Sequence, residues 1–501
     1  MKKLLINICL LLLTVGLSSC YKDKGNYDYS YLPRPVISGI PENCTAYVNT
    51  RLQIPVTVEW PDGELKDVSY EWRVNNEVIS TEKDLDVKVN LEVKPRQYAD
   101  FSVIDNESGI RTMKTFNIDV TTELASGWFV LSNEADYTDL SFIRQGDGFL
   151  YNNIYETANG EKLPKGVTNI KEHWLNFSDE TGEVFIGLPE GPNYSLDLDG
   201  NSLKRVVYTK DEFLEGMPDN FAPTNIDCVR NWDYLFSNGK LYTRYVERTW
   251  DANYHEGKFV RVPMPGDYEL SPFTIRGNIL MANDVIAFDV KNKSYKLIRN
   301  GAMQDFNYKN DSGQKFNPNN MGKTLIAGGV ISAKSPTDKF VTILKGDDEK
   351  YYVHNFRFSG WGAKVYTSES EKVFPEPSLI NENTKWAVCI NRPYVYFTSG
   401  NALYAYNYTD GVNTVKKLES CQFDGNIKAI ALNPLNYEQL AVAVENSNNP
   451  SKSDFMILDV SVVGDGTVVE GSKKEAAFGN VSSIYYKVGM QLDLYDVYNG
   501  R

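Results

Sequence analysis

The chain has 501 residues, with 52 Lys and Arg against 66 Asp and Glu, for a net charge of −14. That length suggests roughly two to four domains, and an acidic chain without basic clusters excludes nucleic acid and anionic membrane surfaces as charge-driven partners. Tyr (32) and Phe (23) are abundant and Val and Thr recur in short runs, a composition that favours strands over helices.

Lys2 and Lys3 precede an apolar run from Leu4 to Leu13. The run falls short of the roughly 20 apolar residues that a membrane-spanning helix needs. Leu17-Ser18-Ser19-Cys20 follows in the form of a lipobox, so residues 1–19 are expected to be a signal peptide and Cys20 the lipidated residue. Acyl chains on Cys20 would anchor the protein at about 0.8 kcal/mol per buried methylene. The plain alternative is an ordinary signal with an incidental cysteine. Residues 20–33 have no period of 2 or 3.6 and read as a tether. Lys22-Asp23, directly after the lipidated position, looks like the short charged signal that sends some lipoproteins to the outer face of the outer membrane. The expected location is therefore the outer membrane, lipid-anchored and facing the exterior.

Cys9 lies in the signal, which leaves Cys44, Cys228, Cys389 and Cys421. They have no CxxC spacing, which argues against a zinc ribbon. An extracytoplasmic compartment permits disulfides in any of three pairings, and buried thiols that act as small hydrophobes are an equal alternative.

Residues 34–122 read as one all-β module. Leu52 to Val58, Tyr70 to Val74, Leu85 to Val93, Tyr98 to Val103 and Thr115 to Val120 alternate or run apolar, with turn signals at Trp60-Pro61-Asp62-Gly63 and Asn75-Asn76. Short strands with a turn about every ten residues are the pattern of an immunoglobulin-like sandwich, with Trp72 as its core tryptophan.

From Gly127 the texture becomes a repeat. Polar turns at Asp136, Pro192, Asn238, Asn283, Asp347, Gly400 and Asn448 are flanked by apolar strands. A spacing of roughly 45–50 residues built from strands predicts β-propeller blades, here seven. Tyr394 to Tyr406 around Ser399-Gly400-Asn401 is the clearest unit, and Tyr234 to Tyr242 repeats it. Both faces of these strands are apolar, as expected of sheets packed between sheets. Ser482 to Val488 is expected to pair with Trp128 to Ser132 and close the ring. Asn300 to Lys323 reads as a polar surface insertion, Asp211 to Gly216 as at most one or two helical turns, and residues 491–501 as a tail. The expected architecture is all-β, an immunoglobulin/PKD-like sandwich over 34–122 and a propeller over 127–490.

Cys20 to Tyr29, Tyr70-Glu71-Trp72 and Gly127 to Ser132 resemble the PKD-like family of Bacteroidetes lipoproteins. The resemblance implies an accessory subunit of a SusC/SusD-type, TonB-dependent uptake complex that captures a glycan or peptide. It supplies no catalytic residues. Arg73-Val74 follows Tyr70-Glu71-Trp72 where true PKD domains carry an Asp- and Gly-rich run, so the resemblance speaks to sandwich shape and not to a shared site.

Three histidines, His173, His255 and His354, are present, none in an HExxH context. No Gly-x-Ser-x-Gly elbow and no phosphate-binding glycine motif occurs. Ser178 to Phe185 is only a distant match to the Asp-box of sialidase propellers and reads as a hairpin. Asp197-Leu198-Asp199-Gly200-Asn201 has part of a calcium loop without its closing Glu, and a turn at Asp199-Gly200-Asn201 explains it more simply. No cofactor and no metal are expected. Trp174, Trp232, Trp250 and Trp361 sit among polar and glycine residues, and Tyr254 and His255 share the Trp250 loop. Aromatics at such positions suit sugar rings or peptide side chains; the competing reading is that each packs a seam between blades. The expected function is a non-enzymatic binding or docking subunit, with a propeller hydrolase or lyase acting on a polysaccharide or peptide as the alternative.

Overall fold

The computed structural model describes residues 33–63, 66–173, 182–190, 193–229, 231–246, 255, 257–277, 284–311, 313–334, 337–360, 365–409, 411–462 and 465–489. The signal, Cys20 and the tether lie outside them. The chain divides into two compact units, residues 1–121 and 122–501. Both are built from strands; the α-helix among the described residues is Ile154–Asn159. None of the described helices is long and apolar enough to cross a membrane.

The first unit is organised on the strand Val68–Val74. It pairs with Glu77–Ser80 on one side and Lys94–Asp105 on the other, and Arg111–Thr121 and Asn43–Tyr47 continue the five-stranded sheet. Two strand pairs, Val36–Ser38 with Thr57–Glu59 and Arg51–Ile54 with Leu85–Lys88, complete it. Trp72 is fully buried on the central strand, 4.6 Å from Phe101 and 6.0 Å from Phe116 between ring centroids. Its indole N–H donates to the Glu82 carbonyl at 3.0 Å, so the ring enters the core without an orphaned donor.

Among the described residues, the second unit forms seven successive antiparallel sheets. Six lead with Asn169–His173, Pro223–Val229, Leu270–Arg276, Lys323–Lys334, Trp386–Val388 and Ile427–Leu432, followed by their own later strands. The first sheet is different. Its strands Gly127–Asn133 and Tyr137–Arg144 are joined by Asn480–Lys487 from the end of the chain, with Trp128 opposite Tyr486 and Val130 opposite Ile484. This is the pairing expected from the last apolar run. The leading strands neighbour one another in chain order, and Asn480–Lys487 lies beside both Asn169–His173 and Ile427–Leu432.

Burial on both faces follows from this order. Phe129, Leu131 and Phe142 pack on Ile170, Val184 and Ile186 between the first and second sheets. Each later sheet shares a cluster with the next. The seventh returns to the first through Ala441, Ala443 and Phe455 against Trp128, Val130 and Ile484.

Two details differ from the sequence reading. The turn equivalent to Asn238 in the fourth sheet is Lys291-Asn292-Lys293, between Asp284–Asp289 and Ser294–Arg299, and not Asn283. Asn283 lies outside the described residues, ahead of the second strand of that sheet. Moving the marker reduces the unevenness in spacing. The segment Asn300 to Lys323 is more than a surface insertion, because Phe306, Phe316 and Met321 are buried between the fourth and fifth sheets. Its polar composition concealed three anchors.

The closing strand is held at its end by Glu172. The carboxylate accepts the backbone N–H of Val488 and of Gly489, both at 2.8 Å, and Lys487 lies 3.8 Å away. Gly489 has φ +84°, and a Cβ there would stand 2.2 Å from the Ala125 carbonyl oxygen, so glycine is required. Glu172→Ala is expected to strip partners from two buried N–H groups and Lys487. It should cost about 3 kcal/mol, read as a lower urea midpoint of the second unit.

In the fifth sheet, His354 stacks on Phe316 and its Nε2–H donates to Glu371 at 2.7 Å. That bond, with Lys323 beside it, holds the Glu371 carboxyl down to about 2 from 4.5. Glu371 therefore adds stability above its ordinary value of 4.5, which is lost as pH falls toward about 2. Glu371→Gln is expected to lower stability at neutral pH and to flatten the acid limb of a stability–pH curve in that window, leaving the acid end nearly unchanged.

Candidate functional site

Two places depart from the apolar seams. The first lies between the second and third sheets. His173 and Glu183 are directly opposite on neighbouring strands, and Asp197 stands on the next strand, two residues from the partner of Glu183, on the same face. Phe185 shares that face and packs on Ile226, Leu235 and Phe259. The polar groups therefore point into the seam. His173 Nε2 is 2.9 Å from Asp197 Oδ1 and 3.8 Å from Glu183 Oε2, while its Nδ1 is 3.2 Å from Cys228 Sγ.

A second layer completes the group. His255 bridges Glu183 Oε1 at 3.2 Å and Glu212 Oε1 at 2.6 Å. Arg244 donates to Glu212 and, at 2.6 Å, to Asp233. Glu212, Asp233 and Arg244 are all buried. Burial disfavours the charged form of His255, but Glu183 and Glu212 outweigh it and carry its pKa up to about 9. His173 behaves alike: burial opposes its charge, and Cys228 and Asp197 raise it well above the ordinary value. Burial raises Glu183, against the hydrogen bond from His255. The donor atoms of His173, Glu183 and Asp197 lie within 4.8 Å of one another, a set able to hold a metal ion.

The second place is a cleft of about 430 Å³ between the first and seventh sheets. Trp128 and Tyr486, opposite in register with ring centroids 4.7 Å apart, form its floor. One wall carries Arg144, Gln145 and Asp147, the other Asn433, Asn436, Gln439, Ser472 and Lys474. Gln145 Oε1 accepts the Tyr486 hydroxyl at 2.6 Å, which fixes the floor to the wall. Arg144 grips Asp147 through Nε at 3.0 Å and Nη2 at 2.6 Å, and these bonds hold the Asp147 carboxyl below its ordinary range.

The residues singled out from sequence are distributed otherwise. Trp174, Trp250, Tyr254 and Trp361 lie outside the described residues. Trp232 packs at the cluster between the third and fourth sheets, edge-on to Tyr245 at 5.2 Å, with its ring against Gly301. His255 belongs to the buried network. Asp199-Gly200-Asn201 is part of a hairpin turn, with Asp199 Oδ1 accepting the N–H groups of Asn201 and Ser202. No disulfide joins Cys44, Cys228, Cys389 and Cys421, three of which are buried.

Sequence reasoning missed the His173–Glu183–Asp197 group. The available signal was acid and imidazole inside strands whose both faces are apolar, as in Glu183-Val184-Phe185-Ile186 and Leu196-Asp197-Leu198. It missed the cleft because its walls come from turns nearly 300 residues apart in the chain, a separation of that order being invisible to local patterns.

A family model described as the PKD-like family matches residues 20–166. No curated protein matches the chain. Solved structures similar to it include a quinonprotein alcohol dehydrogenase-like protein from Bacteroides thetaiotaomicron, at 12% identity and TM-score 0.40, over 91% of this chain and 100% of that one. The Cps50 (Swd1) β-propeller domain of Myceliophteria thermophila is similar at 10% identity and TM-score 0.36, over 64% and 93% of the two chains. The WD40 domain of SCAP from fission yeast is similar at 11% and 0.33, over 64% and 74%. These likenesses concern propeller-like, strand-built folds and carry nothing about activity.

Arg244 neutralises two buried carboxylates. Arg244→Met is expected to leave Glu212 and Asp233 without their shared cation and to destabilise the second unit by about 3–5 kcal/mol in urea titration.

Proposed function

We propose that residues 122–489 form a seven-bladed β-propeller closed by Asn480–Lys487, and that the mature protein is a lipid-anchored binding subunit rather than an enzyme. The seven sheets, their shared clusters and the return of the last strand support the ring. The lipobox at Cys20 supports the anchor, and Lys22-Asp23 supports the outward-facing surface of an outer membrane. The resemblance of Cys20 to Tyr29 and Tyr70-Glu71-Trp72 to lipoproteins of the PKD-like family supports an accessory place beside a SusC/SusD-type uptake complex.

The observation that carries the binding role is the cleft between the first and seventh sheets. An aromatic floor with an amide and hydroxyl rim suits a glycan or a peptide backbone, both of which offer alternating apolar faces and hydrogen-bonding groups. Asp147 there does not suit the general-acid role of hydrolysis. A glycosidase needs one carboxyl that stays protonated near neutral pH, and Arg144 holds Asp147 in the opposite direction. The buried carboxylates around His255 are enclosed between sheets, with Glu212 fully buried.

Calorimetric screening of glycans and peptides against the full chain is expected to find a ligand whose affinity falls about tenfold, or 1.4 kcal/mol, in Asn436→Ala/Gln439→Ala. The bound ligand should be recovered intact. Unchanged affinity in that variant, or release of a cleaved product, contradicts the reading. Labelled palmitate is expected on the wild type and not on Cys20→Ala, and external protease should reach the wild type in intact cells.

A further inference from the structure

We propose that His173, Glu183 and Asp197 hold a divalent first-row transition cation, zinc by their donor set, between the second and third sheets. This site is separate from the ligand cleft and does not depend on it.

The first argument is charge. In the outer layer, Glu212 and Asp233 are matched by Arg244 and by the imidazolium of His255 between Glu183 and Glu212. That layer is neutral. The inner trio then carries two carboxylates and one imidazole, in a seam that holds Phe185, Ile226, Leu235 and Phe259 and the Lys171–Asp227 pair. Even with His173 charged, two carboxylates face one positive charge in a buried place, and a dication in place of the His173 proton balances them.

The second argument is the orphaned oxygens. Glu183 Oε2 and Asp197 Oδ2 are buried and accept no hydrogen bond from the described residues, on residues 5% and 0% exposed. Glu183 Oε2 faces His173 Nε2 at 3.8 Å. The other oxygen of Glu183 is held by His255, which aims this one at the trio. With Nδ1 turned to Cys228 Sγ, His173 Nε2 faces Asp197 at 2.9 Å, and exchange of its proton for a metal ion puts its lone pair on that ion. The separation of these atoms, within 4.8 Å, spans a shared ion with bonds of about 2.0–2.2 Å after small rotations.

The donor set selects the metal. One imidazole nitrogen and two carboxylates suit zinc and its first-row neighbours. Calcium takes six to eight oxygens, which this seam does not supply.

The test uses the untagged full chain, solubilised in detergent and purified without chelator, then incubated with zinc chloride and desalted. Elemental analysis is expected to find stoichiometric zinc in the wild type and little in Asp197→Asn with an unchanged circular dichroism spectrum. No retained zinc in the wild type overturns the proposal, as does full retention in a folded Asp197→Asn. If that variant does not fold, zinc-edge X-ray absorption on the wild type decides. A shell of nitrogen and oxygen with a single imidazole supports the site. A sulfur ligand or several imidazoles overturns it.

Discussion

The antiparallel register that sets Trp128 against Tyr486 and Val130 against Ile484 is the constraint on which the second unit depends. It joins the two ends of a segment more than 300 residues long, and the entropy of such closure grows only slowly with length, about 0.6 kcal/mol per doubling. The return is a hydrophobic cluster that neither end can form alone: Val481, Ile484 and Tyr486 beside Trp128, Val130 and Ile143, all against the seventh sheet. Glu172 fastens the end of the strand to the second sheet, so the same segment is in contact with three sheets. A fold completed by such distant partners is a high-contact-order fold and is expected to form slowly.

The cleft exists because of that closure. Its floor is the Trp128–Tyr486 pair itself, and its walls are turns from the first and seventh sheets. The proposed binding cleft and the closing strand thus share residues. The buried His173–Glu183–Asp197 group has a different logic. Most seams gain stability chiefly from apolar area, at roughly 25 cal/mol per Å², whereas this one accepts four carboxylates, two imidazoles and a guanidinium. Ion pairs of that kind seldom outdo an apolar core of equal volume. Their presence in one seam is better explained by a task than by stability.

Much of the fold was legible in the sequence, because strands buried on both faces announce themselves as short apolar runs between polar turns. Tyr394 to Tyr406 and Tyr234 to Tyr242 form the expected hairpins, and the last apolar run pairs with Gly127–Asn133. Trp72 is at the centre of the first unit's core. Local patterns failed where a short strand or a buried loop broke the rhythm. Asn283 was mistaken for the turn that Lys291-Asn292-Lys293 makes, and Phe306 and Phe316 were hidden among Asn, Lys and Gly. The sites were far less legible. Cross-strand register decides whether His173, Glu183 and Asp197 meet, and register is a tertiary property. The aromatic loop residues drew attention because exposure cannot be told from seam packing by residue type; Trp232 is a seam residue.

The most direct test of this account is amide hydrogen exchange across the full chain at neutral pH. If Asn480–Lys487 closes the ring, its amides and those of Gly127–Asn133 should exchange together, at the slow rate set by global opening of the second unit. Rapid exchange in Asn480–Lys487, with Gly127–Asn133 still protected, would contradict closure by the last strand and the cleft built on it.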